Sequence, residues 1–179
     1  VHISSDYNHI DCRFPIQSVI RPHTLENQDF RGFTGRIDGG VFKPGDRVKT
    51  LPSGFITTIK TIELGGEQIP EAFAPMSVTM TLQDEIDTSR GDMIVRENNV
   101  PEIGQDLEVL VTWMSSNPLK PRTKVVIKHT TKQCLGMVKE LKYKIDINTL
   151  HRLQDIVTLA MNDIGRISLR TAKPLFYDV

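Results

Sequence analysis

The chain has 179 residues, 39% hydrophobic and 25% charged, with 22 Lys+Arg balancing 22 Asp+Glu. That is ordinary globular usage, which excludes intrinsic disorder as the default and suits one moderate domain or two small ones. No apolar run approaches the ~18 residues a membrane-spanning helix needs, and a net charge of zero argues against a dedicated nucleic-acid binder.

The N-terminal "VHISSDYNHIDC" has neither the basic nor the apolar region of a secretory leader. It lacks an initiator Met, which suggests a processed chain or an excised piece. "RFPIQSVI" (13–20) is the first run of alternating type. "FRGFTGRIDGGVFKPGDRVKTLPSG" (30–54) then packs six glycines and two prolines around short runs. Glycines beside a lysine raise the question of phosphate binding. A phosphate loop of the Walker type requires G-x-x-x-x-G-K-[ST], and a dinucleotide loop requires G-x-G-x-x-G opening a helix. Neither spacing is present, and no helical pattern follows. The stretch reads as hairpins: Gly39 and Gly40 supply positive φ, and Pro44-Gly45 suits a type II turn. Gly32 and Gly35 lie inside a strand, where glycine marks a bulge or a close backbone approach.

"FITTIKTIEL" (55–64), "MSVTMTL" (76–82) and "GDMIVR" (91–96) predict further strands. The acidic "QDEIDTSRGD" (83–92) lacks EF-hand register and reads as a loop turning at Gly91. Polar "RENNVPEIGQD" (96–106) is the natural boundary, giving a first unit over 1–98, a linker over 99–105 and a second unit over 106–179. In "DLEVLVTWM" (106–114), Val109, Val111 and Trp113 share one strand face. "KVVIKH" (124–129) alternates as well. Leu150, Leu153 and Ile156 have helical spacing, which predicts about two turns capped by Asn148, with a strand from near Val157. Turn signals recur roughly every 8–12 residues, the rhythm of a β-barrel or sandwich. The class is all-β.

Charge divides unevenly: residues 1–100 hold 10 Lys+Arg against 14 Asp+Glu, and residues 101–179 hold 12 against 8. The basic excess concentrates in 120–144. There Lys124 and Lys128 share a strand face with Val126 between them, and His129 and Lys132 follow. Two readings stand: a solvated edge strand guarded by lysines, or a contact surface for an anion, a nucleic acid or an acidic partner. Lys124, Lys128, His129 and Lys132 are the candidate partner or anion interface. No catalytic, cofactor-binding or metal-ligating residue is assigned, because the five histidines and two cysteines show no ligand spacing. His151 and Asp155, four apart, read as a surface contact. Cys12 and Cys134 read as reduced thiols of a cytoplasmic protein.

The hairpin stretch and "SVTMTLQDEIDTSRGDMIV" resemble the second domain of translation-factor-type GTPases. More closely, "RFPIQSVIRP" (13–22), "LPSG" (51–54), "DEIDTSRGD" (84–92), "TWM" (112–114) and "DINTL…LAMNDIGRISLRTAKPLFYD" (146–178) resemble the large subunit of bacterial two-subunit sulfate adenylyltransferase. The resemblance covers roughly residues 12–178. It implies two tandem antiparallel β-barrels, the second and third domains of that subunit. In the family a G domain hydrolyses GTP with Mg²⁺ and so drives adenylyl transfer from ATP to sulfate, and a small subunit carries the transfer chemistry. The family's phosphate loop and Asn-Lys-x-Asp guanine reader are missing here, so no catalytic or GTP-contacting residue carries over. The resemblance therefore implies an inactive scaffold whose partners are the G domain and the small subunit. Family members run on past "FYDV" into a further strand, which implies a second barrel lacking one strand. The alternative is a tRNA-binding barrel pair of a translation elongation factor, with 120–144 on the tRNA backbone.

Overall fold

Fourteen strands and no helix are found among the described residues, which in this computed structural model are 8–21 and 31–178. The reading of the N-terminus as free of a leader segment rests mostly on residues outside these. The chain divides into two compact units. The first runs to Val100 and includes Thr130–Lys132; the second takes Pro101–His129 and Gln133 onward.

In the first unit, β1 is Arg13–Ile20, β2 Gly32–Arg36, β3 Val41–Phe42, β4 Arg47–Leu51 and β5 Ile56–Leu64. Then come β6 Glu67–Gln68, β7 Ala72–Phe73, β8 Ser77–Leu82 and β9 Met93–Arg96. The sheet runs β4-β9-β1-β2-β8-β5, and β4 also pairs with β5, so the ladder closes into an antiparallel barrel. The short β6 extends from β5, and β3 pairs with β7. Alternation works as the sequence implies: Val78, Met80 and Leu82 of β8 are buried while Ser77 and Thr79 are not. Phe14, Phe33 and Phe42 fill the interior, Phe14 meeting Phe42 edge to face with centroids 6.4 Å apart.

The glycine stretch shapes this barrel. Gly45, at φ +93°, follows Pro44 in a turn closed by Asp46 N–H donating to the Lys43 carbonyl (3.1 Å). Gly40 takes φ +77°, whereas Gly39 needs no positive φ: a Cβ there would lie 2.5 Å from the Asp11 carbonyl oxygen. At Gly35 a Cβ would fall 2.3 Å from the Pro15 carbonyl oxygen and 3.1 Å from the Phe14 ring, opposite a bulge in β1.

In the second unit, β10 is Glu102–Thr112, β11 Lys124–His129, β12 Lys132–Ile145, β13 Arg152–Leu153 and β14 Ile164–Tyr177. The order is β10-β14-β12-β11, with β13 on β12. This sheet does not close: β10 and β11 end it without pairing with one another. Its core holds Leu119, Val138, Leu141, Leu159, Ile167 and Leu169, against which Leu107, Val109, Val111, Trp113, Val125 and Ile127 pack only half-buried.

Three expectations are corrected. β10 opens at Glu102, inside the expected linker, because Glu102–Gly104 pair with Leu175–Tyr177 at the far end of β14. The helix expected from Asn148 does not form, and the strand expected from Val157 begins at Ile164. Asp146 takes the N–H groups of Asn148 (2.8 Å) and Thr149 (3.4 Å) on its carboxylate, a local turn that competes with helix. Leu150 then adopts φ +58°, and Arg152–Leu153 pair with Lys144–Ile145, so the periodic leucines never share a helix face.

Gly35→Ala is expected to cost at least about 2 kcal/mol, since the new Cβ meets backbone rather than a movable side chain. Gly45→Ala, with open space around it, should cost only about 1 kcal/mol through its positive φ. Urea unfolding of both variants checks this ordering.

Candidate interaction surface

The basic segment folds as the hairpin β11–β12 across the two-residue turn Thr130–Thr131. Such a turn makes the strands antiparallel, and Val138 N–H donating to Thr123 C=O (3.0 Å) sets the register. Val126 therefore lies opposite Leu135, and Lys124 opposite Met137. Lys124, Val126 and Lys128 are exposed on the outer face of β11, which is an end strand of the sheet. His129 alternates onto the inner face and is half-buried, and Lys132 lies past the turn at the start of β12, also half-buried. The structure thus brings together Lys124 and Lys128 and separates them from the other two candidates.

The same outer face carries an ion network that sequence reading did not anticipate. Asp106 of β10 pairs with Lys139 of β12 (2.6 Å) and Arg170 of β14 (3.3 Å). Glu108 pairs with Arg166 (3.0 Å), and Lys142 with Glu140. These cations have carboxylate partners; Lys124 and Lys128 have none among the described residues. Val126 and Leu135, each 61% exposed, stand beside them. The signal for the network was present in sequence only as same-face alternation in strands whose neighbours were unknown. Asp106 is held below its ordinary value, first by the Lys139 hydrogen bond and then by the Arg170 charge.

Elsewhere the motifs resolve into architecture. In the acidic loop, Asp84 accepts a hydrogen bond from Thr57 Oγ1 (2.8 Å), Asp87 from Arg31 (2.9 Å), and Asp92 from Ser89 N–H (2.8 Å). Gly91, at φ +95°, makes the predicted turn. Among the described residues, no group of three or more His, Cys, Asp or Glu side chains converges as a metal site. A buried latch escaped sequence reading altogether: Arg13 donates from Nη1 to the Cys12 carbonyl (2.9 Å) and to the Asn99 carbonyl (2.8 Å) and Oδ1 (2.7 Å). Asn99 Nδ2 in turn donates to Asp11 (2.8 Å), whose carboxyl is lowered chiefly by that bond.

Comparisons with known proteins agree with this architecture. Residues 106–179 match the model of the GTP-eEF1A C-terminal domain-like family. The chain is 46% identical to the "Bifunctional enzyme CysN/CysC" of Mycobacterium tuberculosis (strain H37Rv), across 99% of this chain and 29% of that protein. It is 42% identical to "Sulfate adenylyltransferase subunit 1" of Bacteroides fragilis (strain YCH46), across 99% of this chain and 36% of that protein. The chain therefore spans about a third of the length of such relatives. Among solved structures, Sup35 complexed with GDP superposes with a TM-score of 0.81 over 95% of this chain and 41% of its own, at 14% identity, a likeness of fold.

The depressed Asp106 value has a defined sign. Its stabilisation is full above the ordinary value of 3.8 and is lost as pH falls through the lower folded value. An NMR titration of the Asp106 carboxyl is expected to give a midpoint below 3.8, and Lys139→Met should move it back up. An unmoved midpoint would mean that the pair is not formed in solution.

Proposed function

We propose, for a chain that belongs to the translation-factor GTPase superfamily and aligns along its length with sulfate adenylyltransferase subunit 1, that it is the β-barrel scaffold of that large subunit. The observation that carries this reading is the 46% identity maintained over 99% of the chain, which spans both units. In the whole enzyme, a sulfate oxygen attacks the α-phosphorus of ATP, pyrophosphate leaves, and adenosine 5′-phosphosulfate forms, with GTP hydrolysis driving the transfer. That step belongs to a small catalytic subunit, and GTP with Mg²⁺ to a G domain.

The described residues do not fit those ligands. The glycines of 32–54 lie within β2 or in the turns between strands rather than opening a helix, and in the acidic loop Asp84, Asp87 and Asp92 accept hydrogen bonds from Thr57, Arg31 and Ser89. The role of this chain is accordingly mechanical. A closed barrel is rigid, so a nucleotide-dependent movement of a G domain docked on it would be transmitted as a rigid-body shift. The exposed Lys124–Val126–Lys128 row suits a partner surface that is acidic with an apolar centre.

The chain alone is expected to hydrolyse GTP and form adenosine 5′-phosphosulfate at background rates, and to co-purify with the small subunit. Lys124→Glu with Lys128→Glu should weaken that association by about tenfold at low salt, the scale of two rim charges. Turnover well above background would overturn the scaffold reading, and unchanged association would leave the lysines as guards of a solvated edge. Retention of tRNA with steep salt dependence would point instead to the elongation-factor alternative.

A further inference from the structure

The buried latch lies where the chain enters and leaves the first unit. On the entry side, Asn8 Oδ1 accepts the N–H groups of Ile10 (2.9 Å) and Asp11 (3.1 Å), and the Asn8 carbonyl accepts Gly40 N–H (2.7 Å). These bonds seat the entry segment against the corner between β2 and β3. The seat is tight: a Cβ on Gly39 would lie 2.5 Å from the Asp11 carbonyl oxygen, and one on Gly40 2.5 Å from Cys12 Cα.

On the exit side, β9 ends in a turn in which Asn99 N–H donates to the Arg96 carbonyl (3.0 Å). Side chains pin this turn to the barrel. Arg96 Nη2 donates to the Val41 carbonyl (3.0 Å) and to Asp46 (3.1 Å). Arg47 meets Glu97 through both Nε (2.8 Å) and Nη2 (3.2 Å), the two-pronged geometry that holds a carboxylate in one orientation. Val100 follows, exposed, and Pro101 opens the second unit.

Asn99 joins the two sides. Its Oδ1 accepts from Cys12 N–H (3.1 Å) and Arg13 Nη1 (2.7 Å), its carbonyl accepts from Arg13 Nη1 (2.8 Å), and its Nδ2 donates to Asp11 (2.8 Å). Three consecutive entry residues thus bond one exit residue 86 to 88 positions later. An amide supplies both the acceptor and the donor this needs. Aspartate at 99 would lose the donor and set a second carboxylate against Asp11. A buried polar network with its members bonded has few alternative arrangements, so it moves as one piece.

We propose that Asn99 is a positioning residue that makes the entry and exit of the first barrel a single rigid body. This rests on the scaffold reading above and assigns its transmission to one side chain. A displacement of a domain joined ahead of Asn8 then passes through Asp11–Arg13 to Asn99, and the hinge is the Val100–Pro101 step, the first beyond the latch.

Hydrogen exchange of the wild-type chain tests the rigid body directly: Cys12, Gly40 and Asn99 N–H should exchange through one shared opening. In Asn99→Ala, Gly40 N–H, which makes no bond to residue 99, should exchange about tenfold faster while the β2–β8 ladder keeps its rate. Separate openings for Cys12 and Asn99 in the wild type overturn the proposal. In the complete large subunit assembled with the small subunit, Asn99→Ala should keep GTP hydrolysis within about twofold and lose about tenfold of the stimulation by GTP of adenosine 5′-phosphosulfate formation. Ile62→Val, which loosens the barrel core away from the latch, should leave that stimulation unchanged. An equal loss in Ile62→Val overturns the proposal, because stability alone would then explain it. Stimulation that Asn99→Ala leaves intact overturns the latch but not the scaffold reading. A wild-type enzyme without any stimulation overturns the scaffold reading and the transmission with it.

Discussion

The β4–β5 ladder, Arg47 with Thr58, Val48 with Thr57 and Lys49 with Ile56, turns the first unit from a sheet into a barrel. A sheet of so few strands has two edges, and each edge is a row of unsatisfied donors and acceptors as well as a leak into the core. Joining the ends removes both problems together. The consequence is visible in the interior, where sixteen buried residues among those described form one cluster, with Val19, Ile69 and Met76 half-covered beside it. In the second unit, where the ends do not join among the described residues, six buried residues are outnumbered by seven partly buried ones.

Irregular parts of the first unit follow from that closure. Closing a small ring requires tight corners and at least one place where strands come closer than side chains permit. Gly45 and Gly40 serve the corners, and Gly35 the close approach beneath Phe14. In the acidic loop Asp84, Asp87 and Asp92 each find a structural partner, while the buried Thr88 hydroxyl has none among the described residues. Carboxylates that could have been ligands are instead acceptors for Thr57, Arg31 and Ser89. The same economy holds at Arg13, a buried guanidinium whose bonds to Cys12 and Asn99 compensate its removal from water.

The second unit devotes its outer face to charge. Asp106 and Glu108 draw in Lys139, Arg170 and Arg166 across three strands, leaving Lys124 and Lys128 at the margin. Exposed pairs of this kind add little stability. Their weight lies in setting the potential an approaching surface meets, acidic along β10 and basic along β11.

Much of the architecture was legible in the amino-acid order alone, because side-chain alternation is a local property of a strand. β1 and β11 fall on the alternating runs at 13–20 and 124–129, and the turns fall on Pro44-Gly45 and Gly91. The class and the hairpins need nothing beyond a residue and its near neighbours. What failed was local spacing with more than one solution. Leu150, Leu153 and Ile156 fit a helix until Asp146 capped a turn and β12 offered a partner to Arg152–Leu153. Only the tertiary structure decided which strands are neighbours. That joined β4 to β5, set Asp106 beside Lys139 and Arg170, brought Asn99 to Arg13, and left β10 and β11 apart. Pairing between distant strands depends on backbone hydrogen bonds that every residue can make, so the order of residues along the chain carries little record of it.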